Sequence, residues 1–556
     1  MKTYKKTNKQ IIPVPPARHN RFIYLFLLTI IPLVLYFRIV NFGLSELDDD
    51  TIISGINNTE GSKINLKSAF THDAMMSDRG DSFYRPMQTV SLMIDAELGN
   101  SDPWIYHLSN LILHILTVIT LFFFLKRTGI TEDLSFLLAL LFSVNPLFTN
   151  AVAWIPARGD LLLCLFSLLS FLTITEYFRN GKKLYLIIHA IVFAAAMFSK
   201  ETAVLLPVLI LSYLYFVQRK KFLLKEIIPL VIIWFVTFIS FFLLRHSVLK
   251  INHTANEFGI IPFIKNLPVI PIMLGKFFIP YNLSTLPSFN NIAIIIGIIL
   301  AIVITVLIIK GSPVNKRTLL WGALWFFTFI APPMLFRSID LNLGIEKYDY
   351  LDFRAYLPVA GLLVIIGFII NGWSQSVTLK KLRMYFFPAI IIYSFIAFNY
   401  SAAFSDSISF YSSALNANPD NIINLVVRGT IYYGQGNIQN SMSDFNNAIR
   451  INPSYSLPYY NRGLIYATLN DHIQAENSFE LALKYDTLYK ENNFLQESSY
   501  LNLSSEKIIL KKYDEAISIL KKALLRYPDN SNILFNLGVA YNQARELGFN
   551  PPSFPK

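Results

Sequence analysis

Residues 22–50 read FIYLFLLTIIPLVLYFRIVNFGLSELDDD. The apolar part of this stretch, residues 22–40, is long enough to form a helix that crosses a membrane. Three consecutive aspartates, Asp48, Asp49 and Asp50, follow after a short polar segment. A carboxylate next to a membrane is costly unless it faces water, a metal ion or a cationic partner. The stretch therefore predicts an integral membrane protein with a functional site just beyond its first helix.

The composition agrees with a membrane protein. Of the 556 residues, 53% are hydrophobic and 15% are charged, whereas about a quarter are charged in an ordinary soluble domain. The net charge is +12, but the basic residues cluster in short loops between apolar runs, which indicates membrane orientation and not nucleic-acid binding. The single cysteine, Cys164, excludes an intramolecular disulfide, and this favours a bacterial inner membrane over a secretory compartment.

Eleven apolar runs of spanning length alternate with polar loops. They lie at residues 22–40, 105–125, 133–149, 161–178, 184–199, 202–218, 227–245, 291–309, 318–336, 355–371 and 385–401. Basic clusters follow the even-numbered runs, so the positive-inside rule predicts a cytoplasmic basic tail over residues 1–21 and an extracytoplasmic loop over residues 41–104. The apolar stretch 260–280 contains four prolines, and we interpret it as a broken or surface-lying helix on the outer face.

A repeat begins after residue 401. Gly429 and Phe445 recur 34 residues later as Gly463 and Phe479, and small residues at such fixed positions let paired helices pack closely. This spacing is typical of tetratricopeptide repeats, which form solenoids that bind peptides or proteins. The predicted fold class is all-α: a polytopic membrane helix bundle over residues 22–401, followed by an extracytoplasmic repeat solenoid over residues 402–556.

The aspartate triplet permits more than one interpretation. A carboxylate within hydrogen-bond reach of a hydroxyl can act as a general base. Adjacent carboxylates can also bind a divalent cation through their oxygens, and an aspartate is a common N-cap of a helix. A base, a metal ligand and a helix cap all stay open at this point.

Two arginines are candidates for gripping a phosphate, because a guanidinium binds phosphate oxygens in bidentate fashion. Arg85 follows Tyr84 just before the second apolar run, and an interfacial arginine that extends to the membrane surface is the alternative. Arg354 lies between Asp352 and Tyr356 at the start of the tenth run.

Polar residues also enter the apolar runs themselves. His107, Asn110 and His114 share one face of the second run, either as part of a site or as satisfied core residues. Arg158 and Asp160 open the fourth run, where they can pair with each other or place a cation beside a lipid phosphate. Lys200 and Glu201 permit the same two interpretations, an ion pair or a contact with a donor.

In this order the motifs resemble the transmembrane and tetratricopeptide-repeat family of O-mannosyltransferases and their bacterial relatives, within the GT-C glycosyltransferase superfamily. The motifs are Tyr-Arg-Pro at 84–86, Trp-Ile-Tyr-His-Leu-Ser-Asn at 104–110, Ala-Val-Ala-Trp at 151–154, Phe-Ser-Lys-Glu-Thr at 198–202 and Asp-Phe-Arg-Ala-Tyr-Leu-Pro at 352–358. They extend over most of the membrane domain, and the repeats follow them.

The resemblance implies a membrane enzyme that transfers a sugar, mannose or a similar hexose, from a polyprenyl-phosphate carrier to a protein Ser or Thr hydroxyl with inversion. It implies that Asp48 or Asp49 is the base and leaves a divalent metal open. The residues that it implies for the carrier phosphate are Arg85, Arg158 and Arg354, and the supporting residues are Asp50, Tyr84, His107, Asn110, His114, Asp160, Lys200, Glu201, Asp352 and Tyr356.

Two other functions stay open. Transfer to a lipid-linked glycan keeps the same membrane domain, but a peptide-binding solenoid fits a protein acceptor better. A non-enzymatic scaffold that recruits partners through the repeats leaves the charged residues at membrane depth unexplained.

Overall fold

The structure is a computed structural model of the whole chain. It describes residues 18–45, 48–60, 64–76, 83–99, 102–220, 223–250, 257–310, 315–340, 345–348, 350–373, 379–486, 493–546 and 548. Its elements are almost all helices, which confirms the predicted class. A small antiparallel hairpin, β1 (Ser338–Asp340) with β2 (Ile345–Tyr348), is the one departure among the described residues.

The described part of the membrane domain contains seventeen α-helices. They are α1 (Arg18–Tyr36), α2 (Asp49–Glu60), α3 (Leu66–Thr71), α4 (Pro86–Gly99), α5 (Pro103–Thr128), α6 (Glu132–Ser143), α7 (Thr149–Ala153), α8 (Arg158–Asn180), α9 (Lys183–Ser199), α10 (Leu206–Ser212), α11 (Leu224–Val248), α12 (Ile260–Lys265), α13 (Val269–Phe278), α14 (Asn291–Lys310), α15 (Lys316–Ile330), α16 (Pro358–Trp373) and α17 (Leu379–Ser401). Short 3-10 helices at Glu201–Leu205 and Asp352–Ala355 matter for the site.

Seven helical segments of the described chain are long and apolar enough to cross a membrane, or eight if the bent pair Glu132–Ser143 and Pro146–Ala153 is one span. The other predicted runs coincide with shorter apolar helices, so the number of eleven spans stays a prediction. Residues 260–280 form α12 and α13, of 6 and 10 residues. Both are shorter than the roughly 20 residues that a span needs, as the broken-helix interpretation expects.

The membrane domain packs around α5. This helix contacts α1, α4, α6, α8 and α16. Beside it, aromatic rings fill the space between α5, α8 and α15, with Phe124, Phe171, Trp321 and Trp325 in mutual contact. The indole N–H of Trp325 donates to the carbonyl of Leu357 at 3.0 Å, so this aromatic core has its polar atom satisfied.

Eight α-helices are described in the repeat domain. They are α18 (Ser407–Ala417), α19 (Ile422–Gly434), α20 (Ile438–Ile451), α21 (Ser456–Thr468), α22 (His472–Asp486), α23 (Asn493–Ile509), α24 (Tyr513–Leu524) and α25 (Ser531–Glu546). They pair as α19 with α20, α21 with α22 and α23 with α24. Each first helix also contacts the first helix of the next repeat, as in a solenoid.

The recurring position of glycine has a direct steric cause in two repeats. A Cβ added to Gly463 would lie 2.6 Å from a ring carbon of Phe479, and one added to Gly429 would lie 2.7 Å from Phe445. Both phenylalanines are fully buried, so their rings have no room to retreat. Gly538 occupies the equivalent position of the last repeat, and no atom of the described residues lies within 4 Å of its added Cβ.

We therefore expect opposite results from the same substitution at two equivalent positions. Gly463→Ala overpacks the interface with Phe479 and should destabilise the repeat domain by about 1–3 kcal/mol. Gly538→Ala adds a better helix former in open space, so stability should stay equal or rise by up to about 1 kcal/mol. Thermal unfolding of the full chain in detergent, followed by circular dichroism at the helix band, measures both. Equal melting temperatures for the two variants would contradict this packing.

Candidate active site

The aspartate triplet begins a helix. α2 starts at Asp49, and acidic residues in a first turn interact favourably with the helix N-terminus. The helix-cap interpretation is therefore consistent with the structure, but it does not describe all three residues. Asp50 is exposed and Asp48 is half-buried, whereas Asp49 is only 2% exposed.

The two carboxylate oxygens of Asp49 have different surroundings. Oδ2 accepts hydrogen bonds from the backbone N–H and the hydroxyl of Ser45, each at 2.9 Å. Oδ1 is buried and has no hydrogen-bond partner among the described residues. Burial raises the pKa of Asp49 to about 7 against the effect of the Ser45 hydrogen bonds, and the charges of Asp48 and Asp50 add to the rise. Asp49 can thus change protonation near neutral pH.

Trp154 fixes the hydroxyl that holds Asp49. Its indole N–H donates to Ser45 Oγ at 3.1 Å, so this oxygen accepts one hydrogen bond and donates its own proton to Asp49. The Trp154 ring contacts Phe353 and Phe410, with centroids 5.7 and 5.8 Å apart. The base candidate is therefore linked to the 352–355 segment on one side and to the first repeat helix on the other.

Two arginines near this linkage make no ion pair with a described residue. Arg354 follows Phe353 directly and lies half-buried, with its guanidinium 5.3 Å from the centroid of the Tyr350 ring. Arg85 lies 4.3 Å from the centroid of Phe83, and its buried Nε has no hydrogen-bond partner in the described part of the chain. Both charges act on the ammonium of Lys200, so both guanidinium groups lie in one region.

Buried ion pairs support this region. Lys200 Nζ lies 2.8 and 2.7 Å from the two carboxylate oxygens of Asp160, and Lys276 Nζ lies 2.9 and 2.8 Å from those of Asp352. The expected pairing of Lys200 with Glu201 is thus corrected, since Asp160 takes the lysine. The pairs connect α8 with the 201–205 turn, and α13 with the 352–355 segment.

Glu201 has a different role from the predicted ion pair. It is half-buried and has no described cation within 4 Å. The charges of Arg85, Lys200 and Arg245 nevertheless act on it. Glu201 therefore offsets part of the positive charge around Arg85 without blocking the guanidinium.

Arg158 requires a correction. Its side chain is fully buried and donates to Asn110 Oδ1 at 2.7 Å, to the Tyr106 carbonyl at 2.7 Å, to the Ser91 carbonyl at 3.2 Å and to the Asp95 carboxylate. The predicted pairing with Asp160 and the predicted contact with the carrier phosphate are both replaced by these protein acceptors. Arg158 is a structural residue in this conformation.

The stripe of polar residues on α5 connects separate segments of the chain. His107 Nε2 donates to the Gly43 carbonyl at 3.3 Å, and Asn110 Nδ2 donates to the Trp154 carbonyl at 3.2 Å. His114 Nε2 donates to the Ser143 carbonyl at 3.0 Å, so its Nδ1 accepts the hydroxyl of Tyr356 at 2.6 Å. The polar residues of α5 thus position Gly43 and Trp154, near Asp49, and Tyr356, near Arg354.

Tyr84 is a buried packing residue. Its hydroxyl donates to the Phe70 carbonyl at 3.1 Å, and its ring, 2% exposed, lies against Phe241. The neighbouring Arg85 is the residue of this motif that keeps a free polar group.

The sequence interpretation missed three residues of this network, Ser45, Asp95 and Lys276, and it quoted Trp154 only as part of the 151–154 motif. A signal was present for Lys276, because it is an isolated charge within an apolar stretch, where a buried partner is the usual reason. Asp95 stands two residues before Glu97, so it was not distinguishable as an isolated charge. Ser45 stands four residues before Asp49, but this spacing is too common to identify it.

The described residues around Asp49 do not form a group with metal-ligand geometry. Such a group of acids among the described residues is Glu476, Glu480 and Glu515 in the repeat domain. There Lys507 Nζ lies 2.6–2.8 Å from the three carboxylates, which accounts for their convergence. A divalent metal at the aspartate triplet stays a prediction.

Arg158 and Arg354 should respond differently to the same substitution. Arg158→Gln leaves Asp95 buried without its charge partner, and we expect a loss of about 3–5 kcal/mol in the free energy of unfolding. Arg354→Gln removes no ion pair and should stay within about 0.5 kcal/mol of the wild type. Thermal unfolding and gel filtration of the purified chains measure both. A wild-type melting temperature for Arg158→Gln would show that the buried network is dispensable.

Comparison with protein families supports the same organisation. A family model described as dolichyl-phosphate-mannose-protein mannosyltransferase matches residues 86–244. Tetratricopeptide-repeat models match residues 429–470, 458–487 and 497–530. The aspartate triplet precedes the first matched region.

Several similar proteins are named protein O-mannosyl-transferases. TMTC1 of Homo sapiens is 31% identical over 150 residues, 24% of this chain and 17% of that protein. TMTC3 of Homo sapiens is 22% identical over 471 residues, 75% of this chain and 50% of that protein. F38B6.6 of Caenorhabditis elegans is 23% identical over 402 residues, 69% of this chain and 56% of that protein. The chain thus spans less than two thirds of each of these relatives, and it is related in sequence to protein O-mannosyl-transferases.

Proposed function

We propose that this chain is a membrane glycosyltransferase that moves a hexose, with mannose as the first candidate, from a polyprenyl-phosphate carrier to a Ser or Thr hydroxyl of a protein. The observation that carries the proposal is the geometry around Asp49. Asp49, a buried carboxylate with a pKa near neutrality and one oxygen free of described partners, is linked through Trp154 to Phe353, next to Arg354. Neither Arg354 nor Arg85 has a carboxylate partner among the described residues. These groups support the proposal, because the reaction requires a base and cationic ligands for the phosphate.

Asp49 is the base in this proposal. Its ionised Oδ1 takes the proton of the acceptor hydroxyl while the hydroxyl oxygen forms a bond to the anomeric carbon of the sugar. The bond between that carbon and the phosphate oxygen breaks, and the polyprenyl phosphate leaves with the electron pair. Attack opposite the leaving group inverts the anomeric carbon. Ser45 and Trp154 hold Oδ2, so the free oxygen stays oriented.

Arg85 and Arg354 stabilise the leaving phosphate. Negative charge grows on the phosphate oxygens as the bond breaks, and fixed cations near that position lower the barrier. Neither arginine must give up an ion pair within the described protein to bind phosphate. Asp48 is a less suitable base because it is more exposed, and Asp50 is exposed to solvent.

The repeat domain and the orientation complete the proposal. The basic loops support a cytoplasmic N-terminus. In this proposal the loop with Asp49 and the repeats therefore lie on the extracytoplasmic side of a bacterial inner membrane. A tetratricopeptide solenoid joined to the site fits a protein acceptor or partner. The donor is then a lipid-linked sugar of the outer leaflet.

Transfer of radiolabelled mannose from polyprenyl-phosphate mannose to a membrane-depleted protein extract tests the proposal. Purified wild type should label protein, and Asp49→Asn should lower the rate at least 100-fold, in the range of general-base loss. Asp50→Asn is the matched control, an exposed acid in the same turn, and should stay within about threefold. Arg354→Gln should lose transition-state stabilisation with an unchanged melting temperature.

The other possible outcomes point to a different acceptor, a different base or a different function. Label that enters lipid-linked material identifies a glycan acceptor. Equal rates for Asp49→Asn and wild type would exclude Asp49 as the base. If no hexose donor in a panel gives transfer, a scaffold that recruits partners through the repeats is favoured.

The pH dependence provides an independent test of Asp49. The base must be ionised, so the wild-type rate should rise with pH and level off above about 7. Ser45→Ala removes a hydrogen bond to the carboxylate, worth about 1.5–3 kcal/mol, or about one to two pKa units. It raises the pKa of Asp49 further, and the rising limb should move to higher pH by about that amount. Ser54→Ala, an exposed serine of the same helix, should leave the profile in place, and an unshifted Ser45→Ala profile would contradict this role.

A further inference from the structure

Gln88 keeps a buried polar atom without a partner close to Arg85. It lies three residues after that arginine, on the first turn of α4. Its side chain is only 3% exposed, and its Nε2 donates to the Pro156 carbonyl at 3.2 Å. The other polar atom of the carboxamide, Oε1, is buried and accepts no hydrogen bond from any residue that the structure describes. Such an oxygen is costly, and a donor from a ligand would remove that cost.

The glycine at position 159 brings this oxygen and the arginine to one place. A Cβ added to Gly159 would lie 2.5 Å from Gln88 Oε1 and 3.7 Å from a terminal guanidinium nitrogen of Arg85. The free oxygen and the cation therefore both lie within 4 Å of one point. A side chain at residue 159 would fill that point. A ligand that binds Arg85 thus has its neighbouring group beside Gln88.

The segment 154–159 connects this place with the base. At one end the indole of Trp154 holds the hydroxyl that donates to the Asp49 carboxylate. Two residues further on, the Pro156 carbonyl accepts the amide of Gln88. The base and the free carboxamide oxygen are therefore held by one short segment, and a ligand that reaches from the base to the arginine passes this oxygen.

We propose that Gln88 Oε1 accepts a hydrogen bond from the 2-hydroxyl of the transferred hexose and so selects the sugar. This inference rests on the proposed function, in which Arg85 binds the phosphate on the anomeric carbon. The ring atoms next to that carbon are the ring oxygen and C2. The ring oxygen has no proton to donate, so the 2-hydroxyl is the donor nearest to the phosphate. A sugar without it leaves Oε1 unpaired, and a site built in this way rejects such a sugar.

A carboxamide fits this position better than a carboxylate does. A carboxylate so close to Arg85 would form an ion pair and compete with the phosphate for the guanidinium. A neutral oxygen accepts the proton of a hydroxyl and leaves the positive charge to the carrier. Sugar selection and phosphate binding can thus operate side by side.

A comparison of two donors tests this role. Polyprenyl-phosphate mannose and its 2-deoxy analogue are offered to the purified full chain, and kcat/KM is measured with each. Gln88→Leu should lower kcat/KM at least about tenfold with mannose, as for a lost hydrogen bond that leaves a buried group unpaired. With the 2-deoxy donor it should stay within about twofold of the wild type, because that hydrogen bond is absent in both chains. Damage to the fold would lower both rates alike.

Two further variants complete the comparison. Met87→Leu, a volume-conserving change in the same turn, should leave both rates within about twofold. Gly159→Ala places a methyl group against Oε1 without removing the carboxamide, so it should reproduce the donor dependence of Gln88→Leu. Equal losses with the two donors in Gln88→Leu, or no loss with mannose, would overturn the proposal.

Binding of the donor separates this inference from the proposed function. Radiolabelled polyprenyl-phosphate mannose is retained on a filter with the purified chain, without an acceptor. The wild type should bind it at least about fivefold more tightly than the 2-deoxy lipid, and Gln88→Leu should bind both equally. If no chain transfers sugar, the glycosyltransferase is refuted and this ratio still decides the role of Gln88. Equal wild-type Kd values for the two lipids would then refute that role.

Discussion

A buried carboxylate determines how the rest of the site is built. Removing the charge of Asp49 from water is costly, and the protein offsets that cost at one oxygen only, through two hydrogen bonds from Ser45. The other oxygen is left without a partner among the described residues. The charge of Asp49 is therefore only partly stabilised, and its side chain is held in one orientation. The indole of Trp154 and the polar residues of α5 hold Ser45, and through it Asp49, in this position.

Charges within the membrane domain fall into two groups. Arg158 with Asp95, Lys200 with Asp160 and Lys276 with Asp352 are buried and paired. Breaking such a pair by removing one partner costs far more than the pair itself contributes. Arg85 and Arg354 belong to the second group, since neither makes an ion pair with a described residue. Paired charges maintain the fold, whereas unpaired cations are available to an anionic ligand.

Local patterns and distant pairings differ in what a sequence can reveal. Apolar runs, the 34-residue spacing of Gly429 and Gly463 and the aspartate triplet are local, and they predicted the helices, the repeats and the loop with Asp49. The partners of buried charges are not local, because Asp95 and Asp160 lie 63 and 40 residues from Arg158 and Lys200. Before the packing of the helices is known, several acidic residues are equally possible partners for one arginine or lysine. Arg158 was misassigned for that reason, since its sequence neighbours do not show that Asn110 and Asp95 surround it.

The position of α18 has a consequence for biosynthesis. Leu44, next to Ser45, meets Ser407 across 363 residues of chain, and Phe410 completes the wall around Trp154. A ribosome delivers the loop with Asp49 early and its last neighbours only after the whole membrane domain has been made. Until then the loop lacks contacts that orient it. Assembly would thus leave this loop without those contacts until the first helix of the repeat domain has emerged.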